Sequence, residues 1–220
     1  MNVAVIIPTY NAADSLPVLL ARTKAVHPQE NIFVVDDGSR DATKEIAEKN
    51  NVNVISHAAN FGKGAALQTG FDAVLKKSFD AVITMDADLQ HRPEDITRFI
   101  EMYARTKYDV IIGSRLHNKQ GMPIHRVVSN TITTGLVRMR TGAAISDSQS
   151  GFRFITRKVI EQIRLESTGF EAETEFLIKA AALGASFGSI PIGTIYASEK
   201  SNMTHLQTTV NFIKVLFRKF

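Results

Sequence analysis

Four short apolar runs, each broken off by a polar cluster, constrain this chain more than any other feature. Residues 3–7 stop at Pro8 and the turn Thr9-Tyr10-Asn11, and residues 32–35 end on Asp36-Asp37-Gly38-Ser39. Residues 52–55 precede Asn60-Phe61-Gly62-Lys63-Gly64, and residues 81–85 end on Asp86-Ala87-Asp88-Leu89-Gln90-His91. Runs this rich in apolar residues, interrupted only at Asn53 and Thr84, suit strands buried on both faces. Helical spacing separates them, as with Leu16, Leu19 and Leu20 after Asp14, and in residues 41–49 and 65–75. Strands alternating with helices predict an α/β fold: a mostly parallel central sheet with helices on both faces. Ligands of such sheets bind beyond the carboxyl ends of the strands. All four polar clusters fall there, so one shared site is expected.

The fourth cluster has the most definite chemistry. Asp86 and Asp88, with Gln90 beyond them, offer oxygen ligands to a hard cation such as Mg²⁺ or Mn²⁺, with positions left for phosphate oxygens. Taken alone, two aspartates at a strand end are also an ordinary loop start and helix cap. Pro93 then opens an acidic helical start at Glu94-Asp95. Gly62-Lys63-Gly64 permits close backbone approach at a helix start and brings Lys63 within reach of phosphate, with a plain turn as the alternative.

The second half is less regular. Residues 109–112 form a strand delivering Gly113-Ser114-Arg115, and residues 124–139 a helix with Val128, Ile132, Leu136 and Met139 on one side. Ser150-Gly151-Phe152-Arg153 leads a short strand through Ile155, residues 172–183 form a helix carrying Glu173 and Glu175, and residues 187–195 are strand-like. In the tail, Leu206, Val210, Ile213 and Phe217 recur at helical spacing. With no repeat or linker, one domain over residues 1–203 is expected, followed by an amphipathic helix over 204–220 as a membrane-interface or partner contact.

Composition narrows the function classes. A hydrophobic fraction of 44% with 22% charged residues is that of a soluble globular chain. The lack of cysteine excludes disulfide frameworks and thiolate metal sites. No apolar run approaches membrane-spanning length, and strand-like sequence starts at Val3, so a cytoplasmic location is the default expectation. The net charge of +4 is unevenly spread. Between Asp109 and Asp147 there is no acidic residue, while Arg115, Lys119, Arg126, Arg138 and Arg140 all fall there; after Glu199 only Lys200, Lys214, Arg218 and Lys219 carry charge. Such segments fit a phosphate-bearing partner or an anionic membrane surface, or a plain solvated face. Nucleic acid is not expected, since no basic run interleaves with stacking aromatics.

Together the segments Ile7-Pro8-Thr9-Tyr10-Asn11, Val35-Asp36-Asp37-Gly38-Ser39, Asn60-Phe61-Gly62-Lys63-Gly64, Asp86-Ala87-Asp88-Leu89-Gln90-His91, Gly113-Ser114-Arg115, Ser150-Gly151-Phe152-Arg153 and Glu173-Thr174-Glu175 resemble the family 2 glycosyltransferases. These have a GT-A type nucleotide-diphospho-sugar transferase fold. Within them, the fourth segment and the last two resemble the branch of dolichol-phosphate mannose synthase and related polyprenyl-phosphate sugar transferases. The resemblance implies an inverting transfer of a hexose from GDP-mannose or UDP-glucose to a dolichyl or undecaprenyl phosphate. It implies Pro8, Tyr10, Val35 and Asp37 around the nucleoside, and Lys63, Asp86, Ala87 and Lys200 also at the donor. It further implies a cation at Asp86, Asp88 and Gln90, with Asp88 and Gln90 as the direct ligands. Catalysis would rest on Asp88, Arg115 and Arg126, the two arginines, which fork onto phosphate oxygens, being the candidates for the acceptor phosphate.

A phosphate acceptor is already anionic near neutral pH and needs no general base, unlike a hydroxyl acceptor. A saccharide-hydroxyl acceptor is the alternative reading, with Glu173 or Glu175 as first suspects for the base; a non-catalytic nucleotide-sugar-binding subunit is the alternative of another class. Two departures bear on the donor: Ala12 stands where the family often has Glu, and Thr194 where it has Arg. The sequence also shows no membrane-spanning tail, so a peripheral enzyme on the cytoplasmic membrane face, or one recruited by a membrane partner protein, is expected.

Overall fold

In the computed structural model, which describes residues 1–116, 122–193 and 205–220, the four apolar runs are neighbours in one sheet. They form β1 (Val3–Thr9), β2 (Ile32–Asp36), β3 (Asn53–Ser56) and β4 (Ala81–Thr84), joined by β5 (Val110–Ser114), β6 (Arg153–Thr156) and β7 (Phe187–Pro191). The order is β3-β2-β1-β4-β6-β5-β7. Every pairing is parallel except those of β6, which runs antiparallel to both β4 and β5.

The helices are α1 (Leu16–Val26), α2 (Thr43–Lys49), α3 (Lys63–Leu75), α4 (Ile96–Thr106), α5 (Ile124–Thr141), α6 (Arg157–Ile160), α7 (Ala172–Ala182) and α8 (His205–Phe217). The acidic start expected at Pro93 is a single 3₁₀ turn, Pro93–Asp95, leading into α4. Strand side chains alternate between faces, so β1 sends Ala4 and Ile6 to one side and Val3, Val5 and Ile7 to the other. The first side packs on α3 and α7 through Leu67, Phe71, Phe176 and Leu177; the second packs on α1 and α4 through Leu16, Leu19, Leu20, Ile96 and Phe99. Burial on both faces is the reason residues 3–7 and 32–35 are apolar at every position.

The antiparallel β6 positions the site. Thr84, last in β4, lies opposite Arg153, first in β6. The start of β6 therefore reaches the same sheet edge as the end of β4, and the Thr84 hydroxyl donates to the Gly151 carbonyl at 2.7 Å.

On α8, Phe212, Val215 and Leu216 are buried, whereas Val210, Ile213 and Phe217 are exposed. On α5, Thr134 and Val137 face inward, while Ile124, Val128, Ile132 and Met139 are exposed. Most of each apolar row noted in the sequence thus points outward. Leu136 alone packs partly on the core. No helix of the described residues is long and apolar enough to cross a membrane. Lys119, Thr194, Lys200 and the side chain of Leu206 lie outside the described residues.

Candidate active site

Three loops at the carboxyl edge are tied into one frame. The Asp37 amide donates to Thr9 O at 2.8 Å, the Asn11 amide to Ser39 Oγ at 2.9 Å, and the Arg40 amide to Asn11 Oδ1 at 2.9 Å. Gly38 takes φ +70°, and a Cβ there would stand 2.4 Å from the Ala59 carbonyl carbon. Only glycine permits that approach.

Asp37 is buried, and its carboxylate accepts from the amides of Phe61 (2.9 Å) and Gly62 (2.7 Å), with His57 Nδ1 also at 2.7 Å. It therefore shapes the 57–62 loop. A pocket of about 320 Å³ opens beside it, lined by Tyr10, Asp36, Arg40, Lys44 and His57 among others. Of the four residues expected around a nucleoside, Tyr10 lines this pocket. Pro8 and Val35 face each other in the β1–β2 ladder, with Val35 fully buried. Asp36, the last residue of β2, lines the pocket, while the Asp37 carboxylate is turned to the 57–62 loop. Arg40, Lys44 and His57 carried no comparable signal in the sequence.

The second half of the site is a cluster of buried charges. Lys63 Nζ lies 2.6 Å from Asp86 Oδ1 and 2.6 Å from Glu173 Oε1. His91 Nε2 is 3.8 Å from Asp86 Oδ2, and Arg153 Nη2 is 3.7 Å from Glu173 Oε2. Arg153 also donates to the carbonyls of Glu173 (2.9 Å) and Ser148 (3.0 Å). Burial works against the charge of Lys63, but Asp86 and Glu173 outweigh it and hold its pKa above the ordinary lysine value. Burial likewise opposes ionisation of Asp86, and Lys63 with His91 outweighs it, leaving the carboxyl well below the usual range. Asp88 goes the other way: burial, then the charge of Asp86, push it up.

Asp88 accepts the Gln90 amide at 3.0 Å, and Leu89 between them adopts φ +60°. A bulky residue in that region costs about 1–2 kcal/mol, which marks the loop as shaped for something other than stability. Among the described residues no three His, Cys, Asp or Glu side chains converge as a closed metal cage. Oxygen donors of the kind offered by the two aspartates and Gln90 fit a hard cation whose other ligands are phosphate oxygens and water.

Glu175 is fully buried and accepts from the amides of Glu166 (2.8 Å) and Ser167 (2.7 Å), with Lys179 Nζ at 2.7 Å. The loop it holds supplies the Thr168 carbonyl to the Gly64 amide at 2.6 Å. A Cβ on Gly62 would stand 2.4 Å from that carbonyl oxygen, so the close approach expected at these glycines is made by this loop. At the end of β5, Arg115 forks onto Asp147, Nε to Oδ2 at 2.9 Å and Nη2 to Oδ1 at 3.1 Å. Arg126 is half-buried in the first turn of α5.

The mostly parallel sheet, with its polar loops gathered along the carboxyl edge, has the fold of the GT-A glycosyltransferases. The sequence profile described as "Glycosyl transferase family 2" matches residues 4–164. The chain belongs to that family and is a glycosyltransferase.

An uncharacterized protein of Methanocaldococcus jannaschii is 34% identical over 99% of this chain and 90% of its own length. Polyprenol monophosphomannose synthase of Mycolicibacterium smegmatis is 33% identical over 86% of this chain and 75% of its own. A UDP-N-acetylglucosamine–dolichyl-phosphate N-acetylglucosaminyltransferase of Methanococcus voltae is 30% identical over 97% and 92%. In fold, the chain is similar to glucosyl-3-phosphoglycerate synthase from Mycobacterium tuberculosis in complex with Mn²⁺ and UDP-glucose, with a TM-score of 0.77 and 18% identity over 98% of this chain and 78% of that one.

Proposed function

We propose that the chain transfers a hexose, mannose or glucose, from a nucleotide diphosphate to a polyprenyl phosphate, with inversion and with a divalent cation. One observation carries the acceptor class. Glu173 is paired with Lys63 beside Arg153, and Glu175 is spent on the 166–167 backbone and Lys179. The two carboxylates that a hydroxyl acceptor would call on as base are thus engaged, whereas a phosphate acceptor arrives already ionised. The names of the relatives support this: they differ in sugar, and share a polyprenyl or dolichyl phosphate.

In this reading the pocket at Tyr10 and Asp36 takes the nucleoside, and Asp88 and Gln90 hold Mg²⁺ or Mn²⁺ beside the diphosphate. A cation bound there supplies Lewis-acid stabilisation of the leaving group. Arg115, aimed by Asp147, and Arg126 hold the acceptor phosphate, and Lys200 assists at the donor. The test is transfer of label from GDP-mannose and UDP-glucose to a short polyprenyl phosphate with Mg²⁺ or Mn²⁺. Label is expected in the organic phase only with metal. Product on a saccharide alone would overturn the acceptor assignment.

The same α5 that carries Arg126 exposes Ile124 (81%), Ile132 (57%) and Met139 (81%), and α8 exposes Ile213 (47%) and Phe217 (76%). Basic residues flank both rows, among them Lys214, Arg218 and Lys219. Apolar rows with a basic fringe suit the interface of an anionic bilayer, so we assign the enzyme to the cytoplasmic membrane face as a peripheral protein. The double variant Ile132→Glu/Ile213→Glu is expected to float with anionic vesicles at least roughly tenfold less well, since burying one isoleucine is worth about 1.5–3 kcal/mol. Undiminished flotation with an unchanged melting temperature would remove the idea.

A further inference from the structure

The charges behind the donor site are nearly balanced without any metal. Three carboxylates, Asp86, Asp88 and Glu173, are gathered there. Two buried cations face them: Lys63, against Asp86 and Glu173, and Arg153, against Glu173, with the His91 imidazole 3.8 Å from Asp86 as a further partner. With the imidazole left out of the count, three carboxylates face two cations, and Asp88 is the one with neither cation at ion-pair distance among the described pairs. We propose that Lys63 is a built-in counter-ion that keeps this site from binding a divalent cation by itself, so that the cation is held only together with the nucleotide diphosphate. The inference rests on the donor-site reading above.

The physical argument is one of competition for Asp86. The Lys63 ammonium sits at hydrogen-bond distance from Oδ1, with its side chain only 15% exposed. A cation approaching Asp86 meets a like charge held by two carboxylates, in surroundings where little water screens it. Lys63 Nζ is also 5.6 Å from the centre of the Phe170 ring, and the 167–169 loop packs against Gly62 and Gly64 on either side of it in the chain. The diphosphate brings the negative charge that the site lacks. With it present, the cation has phosphate oxygens as well as Asp88, and the repulsion from Lys63 is offset. The arrangement makes cation and donor bind as one unit and keeps the chain from holding a metal with no donor in place.

The test is Mn²⁺ binding followed by the electron paramagnetic resonance signal of free Mn²⁺. The wild-type chain and Lys63→Met would each be measured alone, with GDP and with UDP. The wild-type chain is expected to bind Mn²⁺ at least roughly tenfold more tightly when its nucleotide is present. Lys63→Met is expected to bind nucleotide-free Mn²⁺ at least roughly tenfold more tightly than wild type, and Lys63→Arg to behave as wild type does. Nucleotide-free affinity unchanged or lowered in Lys63→Met overturns the proposal and leaves the donor site standing. Wild-type affinity that is the same with and without nucleotide overturns it too, whether or not the methionine variant folds. No Mn²⁺ binding under any condition would instead sink the metal-dependent donor reading itself.

Discussion

Asp88→Ala is expected to lower sugar transfer by at least about 10³-fold, because Lewis-acid assistance is worth several kcal/mol and each tenfold in rate is about 1.4 kcal/mol. The fold should not suffer. Burial and then the charge of Asp86 push the Asp88 carboxyl above its ordinary value. A raised folded-state value means the folded chain binds that proton better than the unfolded one, so stability falls as pH rises from the unfolded value through the folded one. Asp88, wherever it is ionised, is therefore a cost to the fold, and its removal should leave the melting temperature equal or higher. Asp86→Ala differs, since it strips Lys63 of one of its two partners and should cost stability as well as activity. Rates with and without Mg²⁺, alongside thermal melts, separate the two. Full metal-dependent transfer by Asp88→Ala would show that the cation is held elsewhere.

Much of this frame was legible in the sequence because it depends on local pattern. Residues 3–7, 32–35 and, Thr84 apart, 81–85 are apolar because both faces of the sheet are covered, and the polar clusters follow from where those strands end. Direction and pairing of the later strands were not legible. β6 has four residues, and nothing in Arg-Phe-Ile-Thr says that it runs backwards between β4 and β5. Yet that reversal sets Gly151 and Arg153 beside Asp86 and Glu173. The partnership of Lys63 with Asp86 and Glu173 was hidden for the same reason, since the three come from the start of α3, the loop after β4 and the first turn of α7. In α5 and α8 the 3.6-residue period was right, but a period gives a face and not the side on which the core lies. The buried face of α8 turned out to be Phe212, Val215 and Leu216.

Gly151→Ala tests that reversed strand most directly, with an expected loss of transfer of about 10²-fold or more, the scale attached to a 1 Å misplacement in an active site. A Cβ at this position would stand 2.7 Å and 2.9 Å from the two oxygens of Asp86, and 2.8 Å from Glu173 Oε1. Ends of side chains usually give way cheaply, but these are pinned, each by Lys63 at 2.6 Å. The backbone is pinned as well, through Thr84 on the Gly151 carbonyl. The carboxylates can move only by leaving the lysine, so the methyl group displaces the charged cluster beside the donor site rather than a patch of core. Gly135→Ala is the matched control. It lies in α5 with nothing within 4 Å of the added carbon, and it should stabilise the chain by about 0.4–1 kcal/mol with transfer unchanged. If Gly151→Ala retains wild-type transfer and nucleotide-dependent Mn²⁺ binding, the tight packing of Asp86, Lys63 and Glu173 is not what the reaction depends on.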